Sequence, residues 1–390
     1  MPVRTLVTRG RRWACAIPVT ILLGCTPLRQ YRAATATDMQ GSSPDTSVDA
    51  TLQRLTDDAI NEHGLVGLQV AIVLANGHAW TGASGTVDLA RRTPLTTHSV
   101  IRLGSLTKTY TALAALRLVE RGHLRLEDAV DRWVPECEWS TKITVRMLLS
   151  HASGIPELLG PRVMMLSTMQ PSRRWGTSEL LHMICSKRLA FRPGSDHRYS
   201  NSNYVLLGII LERLTGHPLT DVYRDEITRP LRLRQTYYLP TDTVPPFLVA
   251  GNDRDLIPLP GWHRTNPQNT AWSTCAAASG GMSASAADVA RFFAAVMEGE
   301  LLGEATRREM WTFVSGVKPA DRYLVRFGLG LFAYGDVFRG TYGHLGLFVG
   351  SQAVALFDPQ RRFVLVLLAN VSRVRDLDGL VNTYLRALAP

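Results

Sequence analysis

In the stretch "RLGSLTKTYTALAALRLVERG", residues 102–122, Ser105 and Lys108 stand three positions apart where a loop enters a helix-patterned segment. Apolar spacing from Leu106 to Arg121 predicts that helix, and Gly122 ends it. At i and i+3 on a helix the two side chains share a face, and Ser105 lies near the positive end of the dipole. A hydroxyl is a weak nucleophile until a neighbouring base takes its proton, and a lysine desolvated enough to be neutral is such a base. The choice of cation carries information. Of 43 basic residues only Lys108, Lys142, Lys187 and Lys318 are lysine; the rest are arginine, which cannot give up its proton. Two readings stand side by side: a compositional accident, since some lysines survive any such bias, or a position that needs a neutral amine and so must be lysine. The S-x-x-K pattern alone is weak, since it recurs at Ser315 and Lys318 in "VSGVKPA". There Gly316 and Pro319 prevent a helix from holding the pair together.

Two further segments add polar groups. In "FRPGSDHRYSNSNYVLLGIILERLTG", Tyr199 and Asn201 alternate on one side of an extended turn before an apolar helix. In "YGHLGLFVGSQAVALF", His344 and Gly346 occupy a Gly-rich β-like run, where a missing side chain would let a substrate lie against the backbone. Taken singly, each has a purely structural explanation: a packed ring, a helix cap, a half-exposed strand residue. The ten histidines show neither H-E-x-x-H nor H-x-H spacing, so no zinc site is expected and no cofactor is called for.

The elements that must position these residues follow from periodicity. An amphipathic helix begins near Asp49, with Leu52, Leu55 and Ile60 on its apolar face. "GLQVAIVLANGHAWTGASG" then gives two β-rich runs split by Asn76 and Gly77, a strong hairpin signal. Helix-like stretches dominate to about residue 235. "SASAADVARFFAAVMEG" reads as a helix with Ser285 and Asp288 placed as a capping box, followed by three or four β-like runs ending in "RRFVLVLLAN". A last helix covers roughly Asp376 to Leu388. Strands at both ends and helices between predict an α+β domain over 49–390, with an antiparallel sheet assembled from both termini and a mostly helical insert over roughly 123–275.

In combination, S-x-x-K, Y-x-N and H-x-G in this order resemble the serine hydrolases of the class C β-lactamase and DD-peptidase family (the penicillin-binding-protein-like S12 peptidases). The resemblance runs from about residue 55 to 370 and includes "ITVRMLLSHASGIPE", "SGGMSASAADVARF" and "GHLGLFVG". It implies that Ser105 is the nucleophile of an acyl-enzyme, that Lys108 shares its proton, and that Tyr199 acts as general base or proton shuttle; which of the two takes the first proton is left open. It further implies that Asn201 orients substrate or holds Lys108, that the backbone N–H groups of Ser105 and Leu347 form the oxyanion hole, and that His344 lines the opposite wall and binds an anionic or carbonyl group. Where the family usually has Thr or Ser in its third motif, this sequence has Leu345, which donates nothing to a substrate carboxylate. That departure favours esterase-like specificity for an ester or amide. The alternatives are a DD-carboxypeptidase or β-lactamase acting on cell-wall peptides or β-lactams, and a noncatalytic ligand-binding module of the same fold.

Composition limits the partners. The chain has 390 residues, 45% of them hydrophobic, and a net charge of +10. Arg4, Arg9, Arg11 and Arg12 precede the apolar run "WACAIPVTILLGC", too short to span a bilayer, so the basic excess reads as targeting and not as a nucleic-acid footprint. A signal peptide is expected over 1–24. "LLGC" resembles the lipobox of bacterial lipoproteins, which makes Cys25 the expected lipid anchor, with a flexible tether over 25–48 and a location at the cell envelope. Cys137, Cys185 and Cys275 then allow at most one disulfide, whose pairing stays open.

Overall fold

The structure is a computed structural model that describes residues 46–388 apart from 91, 255, 257–260, 262 and 315–325. The expected signal segment, Cys25, the tether up to residue 45 and the second pair, Ser315 with Lys318, lie outside the described residues. Helix α1 (Thr46–Glu62) starts three residues before Asp49, inside the stretch read as tether, because its first turn carries no apolar spacing to announce it. It leads into the hairpin of β1 (Gly67–Val73) and β2 (Ala79–Gly85). At the turn Leu74 N donates to His78 O at 2.8 Å, and Gly77 takes a φ of 86° that a side chain would oppose.

After β3 (Ile101–Arg102) come α2 (Thr107–Glu120), α3 (Val145–Leu149), α4 (Pro161–Met169), α5 (Thr177–Cys185), α6 (Asn201–Thr215) and α7 (Leu219–Tyr223). Three short strands follow, β4 (Thr236–Tyr238), β5 (Asn252–Asp253) and β6 (His263–Arg264), then α8 (Thr270–Ala276). The span expected as a helical insert thus also holds strands of two or three residues, too short to carry a periodic signal. The chain continues through β7 (Met282–Ala284), α9 (Ala286–Glu298), α10 (Glu304–Met310), β8 (Arg326–Phe327), β9 (Phe332–Ala333), β10 (Tyr342–Phe348), β11 (Ser351–Asp358), β12 (Phe363–Ala369) and α11 (Leu377–Ala387).

Seven strands form one antiparallel sheet in the order β2-β1-β12-β11-β10-β9-β8. Strand β12 sits between β1 and β11, so the two ends of the chain meet in the middle of the sheet, as an α+β fold of this kind requires. Every residue of β12 is buried. Val364, Val366 and Leu368 enter the core beneath the helical layer, while Phe363, Leu365 and Leu367 enter a second core with Leu380 and Tyr384 of α11. Covering on both faces explains an unbroken apolar run where one-sided burial would alternate.

A smaller sheet, β3-β7-β4, fixes the strand that precedes Ser105. The capping box of α9 forms only in part. Ser285 Oγ accepts from Asp288 N at 3.3 Å, but the Asp288 carboxylate turns away to accept from Gln235 N at 2.7 Å and Thr236 Oγ1 at 2.9 Å, tying α9 to the loop before β4. Cys137 and Cys185 form the disulfide, with Cα atoms 4.6 Å apart, and Cys275 is a buried free thiol in α8.

Candidate active site

Ser105 lies in a single 3-10 turn, Gly104–Leu106, between β3 and α2, and stays partly exposed. Two glycines let this turn lie against β10. Gly104 has a φ of 52°, and a Cβ there would stand 2.6 Å from Leu347 O and 3.0 Å from Leu347 N. A Cβ on Gly346 would collide with the carbonyl oxygen of Leu103. The space above Gly346 is therefore filled by the turn that carries Ser105 and is not an open shelf for substrate; this corrects the expected use of that glycine. Leu347, 40% exposed, has its backbone directly against Gly104, next to Ser105.

Lys108, in the first turn of α2, is fully buried. Its Nζ is 3.0 Å from Ser105 Oγ, 2.7 Å from Asn201 Oδ1 and 2.8 Å from the carbonyl oxygen of Ser279. Burial, opposed by the charge of Glu157, brings its ammonium down to about 7. A neutral amine has two hydrogens and one lone pair. Two of the three neighbours are carbonyl oxygens, which can only accept, so the lone pair of neutral Lys108 is left facing the Ser105 hydroxyl.

Tyr199 precedes α6 and its Oη donates to Ser105 Oγ at 2.7 Å. The ring stands 4.8 Å from Lys108 Nζ and 4.6 Å, centroid to centroid, from the His151 ring. Burial pushes the phenol above its ordinary range, the bond to Ser105 acting weakly the other way, so it holds its proton at neutral pH. Asn201 is the first residue of α6, not part of an extended turn.

His344 departs from its expected place. It is buried on β10, its Nδ1 lies 2.5 Å from Leu345 O, and its ring packs 4.1 Å from that of Phe332. Burial, with the nearby Lys108, takes its imidazole down to about 3. It is neutral, and supplies no cationic wall for an anion. Leu345 packs half-buried into the second core, with Phe332 and Val354, on the sheet face opposite the one that Gly346 turns to Leu103.

Several participants carried no sequence signal of their own. Ser279 acts through its backbone carbonyl, which no side-chain type reports. Glu157 and His151 lie in "HASGIPE", and no spacing ties them to Lys108. His151, buried and pushed well below its ordinary value, accepts from Ser200 N at 3.3 Å and faces Asn203 Nδ2 at 3.1 Å. Arg102, beside the Ser105 turn, donates to Ser273 Oγ at 2.8 Å and Pro267 O at 2.6 Å. It thereby binds the segment after β6 to the site.

The profile of the family described as Beta-lactamase matches residues 48–388. The chain belongs to the β-lactamase family of serine hydrolases. Within it, the chain is 32% identical to esterase EstB of Burkholderia gladioli, over 67% of this chain and 75% of that protein. It is also 32% identical to Penicillin-binding protein 4* of Bacillus subtilis (strain 168), over 39% of this chain but only 33% of that longer protein. Among solved structures, the D-stereospecific amidohydrolase of a Streptomyces species superposes with a TM-score of 0.74 at 27% identity, covering 87% of this chain and 98% of that one. This β-lactamase-family chain thus shares its fold with hydrolases of ester and amide bonds.

Proposed function

We propose that the chain is an exported serine hydrolase that cleaves an ester or amide through an acyl-enzyme on Ser105, with uncharged esters favoured. The observation that carries this reading is the placement of Lys108 Nζ 3.0 Å from Ser105 Oγ while two carbonyl oxygens occupy its hydrogens. Neutral Lys108 takes the Ser105 proton as Oγ bonds to the substrate carbonyl carbon, and the electron pair of the C=O moves to oxygen. Backbone N–H groups of Ser105 and Leu347 donate to that oxyanion. As the intermediate collapses, the leaving group departs with a proton that returns from the Lys108–Tyr199 pair, leaving Ser105 acylated. Water then attacks the acyl carbon, giving a proton to the same pair; as the acyl–Oγ bond breaks, the pair returns that proton to Ser105 Oγ and the acid is released. Lys108, and not Tyr199, is the first base in this scheme, because the phenol is held protonated by burial.

The preference for uncharged substrates is supported by His344, which stays neutral in its buried site and offers a carboxylate no charge. A charge-assisted hydrogen bond to a carboxylate is worth about 1.5–3 kcal/mol, roughly one to two decades in rate. The relatives named an esterase and an amidohydrolase support the ester-or-amide class, which also takes in a relative named a putative D-alanyl-D-alanine carboxypeptidase. Export and a lipid anchor at Cys25 are supported by the basic and apolar N-terminal run and by the Cys137–Cys185 disulfide, a bond typical of oxidising compartments. Steady-state kinetics on a neutral short-chain ester and on a cephalosporin test the reading. A kcat/KM at least about tenfold higher for the ester is expected; efficient cephalosporin turnover would favour a β-lactamase or DD-peptidase instead.

A further inference from the structure

The scheme above gives no part to the carboxylate that touches its network. Glu157 Oε2 accepts from both the backbone N and the side-chain Nδ2 of Asn201, each at 3.0 Å, and Oε1 accepts from Leu159 N at 2.7 Å. Lys187 holds the same loop by donating from Nζ to Glu157 O. A primary amide has a donating end and an accepting end, exchanged by rotation about one bond. With Nδ2 committed to the carboxylate, Oδ1 is the end turned to Lys108, where it accepts at 2.7 Å. A flipped Asn201 would aim N–H at the amine and set carbonyl oxygen against carboxylate oxygen.

The second effect is electrostatic. Around Lys108 stand Tyr199 before α6, Tyr204 on α6, His151 after α3 and His344 on β10. Burial keeps both phenols protonated and both imidazoles neutral at pH 7. Glu157 is the carboxylate in this surrounding, and its charge opposes the effect of burial on Lys108.

We propose that Glu157 is a positioning residue that fixes the orientation of the Asn201 amide and sets the lower pH bound of the reaction. The inference rests on Lys108 being the base. Neutral Lys108 is the active form, so kcat/KM rises as pH passes through its pKa. Removing a negative charge that raises this pKa must move that limb to lower pH.

The test is the pH dependence of kcat/KM for a neutral nitrophenyl ester, from about pH 5 to about pH 9, in wild type, Glu157→Gln and Glu157→Ala. Wild type shows an acid limb. In Glu157→Gln, which keeps an acceptor oxygen but no charge, the limb moves down by about half a unit, a roughly threefold gain on its acid side relative to the variant's own plateau. Glu157→Ala shows the same displacement and also loses about tenfold in kcat, because nothing then holds the amide; it supplies the limb reading if the Gln variant is too unstable to assay. A merely structural role would lower melting temperature and leave the limb in place. Variants that retain the wild-type limb overturn the inference alone, whereas a wild type with no acid limb overturns the Lys108 reading and this inference with it.

Discussion

At the scale of single residues, the chemistry depends on one proton position. Lys108→Arg keeps the positive charge and removes the form that accepts a proton. We expect turnover of a neutral ester to fall by about 100-fold or more, as for loss of a general base, with the fold unchanged by circular dichroism; a near-normal rate would return Lys108 to compositional accident. The scarcity of lysine made this residue legible in sequence, and the i, i+3 spacing made Ser105 legible with it. His344 shows the limit. Its type and motif were readable, but its charge state is set by burial against Phe332 and by the nearby Lys108, which come from distant parts of the chain.

At the scale of elements, the site is a contact between one turn and one strand. Gly346→Ala would force β10 away from Leu103, because the new Cβ meets a backbone oxygen and not a movable side chain. Such overpacking costs about 2 kcal/mol, and displacing the Leu347 N–H from Ser105 by about 1 Å costs about 100-fold in rate. Urea denaturation with ester kinetics on the same variant checks both; an unchanged rate would mean that β10 does not contribute to the oxyanion site. Long periodic elements, α2, α9, α11 and the β1–β2 hairpin, were legible because their own side chains specify them. The strands β3 to β7 were not, since two or three residues hold no period, and pairing with remote segments makes them strands. The role of Gly346 was misread for the same reason: sequence shows that a side chain is missing, not what fills the space.

At the scale of the whole molecule, the disulfide joins the loop before α3 to the end of α5, closing a span of 48 residues. Replacing both Cys137 and Cys185 by Ser should lower unfolding free energy by about 2–4 kcal/mol and with it the melting temperature, checked by thermal melts of the two proteins. An unchanged melting temperature would remove one support for the proposed export. The central claim, that this fold presents Ser105 as an acylated nucleophile, is tested most directly by peptide mass spectrometry of the full chain after reaction with a fluorophosphonate. The adduct is predicted on Ser105 in the wild type and should be absent from Ser105→Ala. An adduct on another serine, Ser315 included, or labelling that persists in Ser105→Ala, would contradict it.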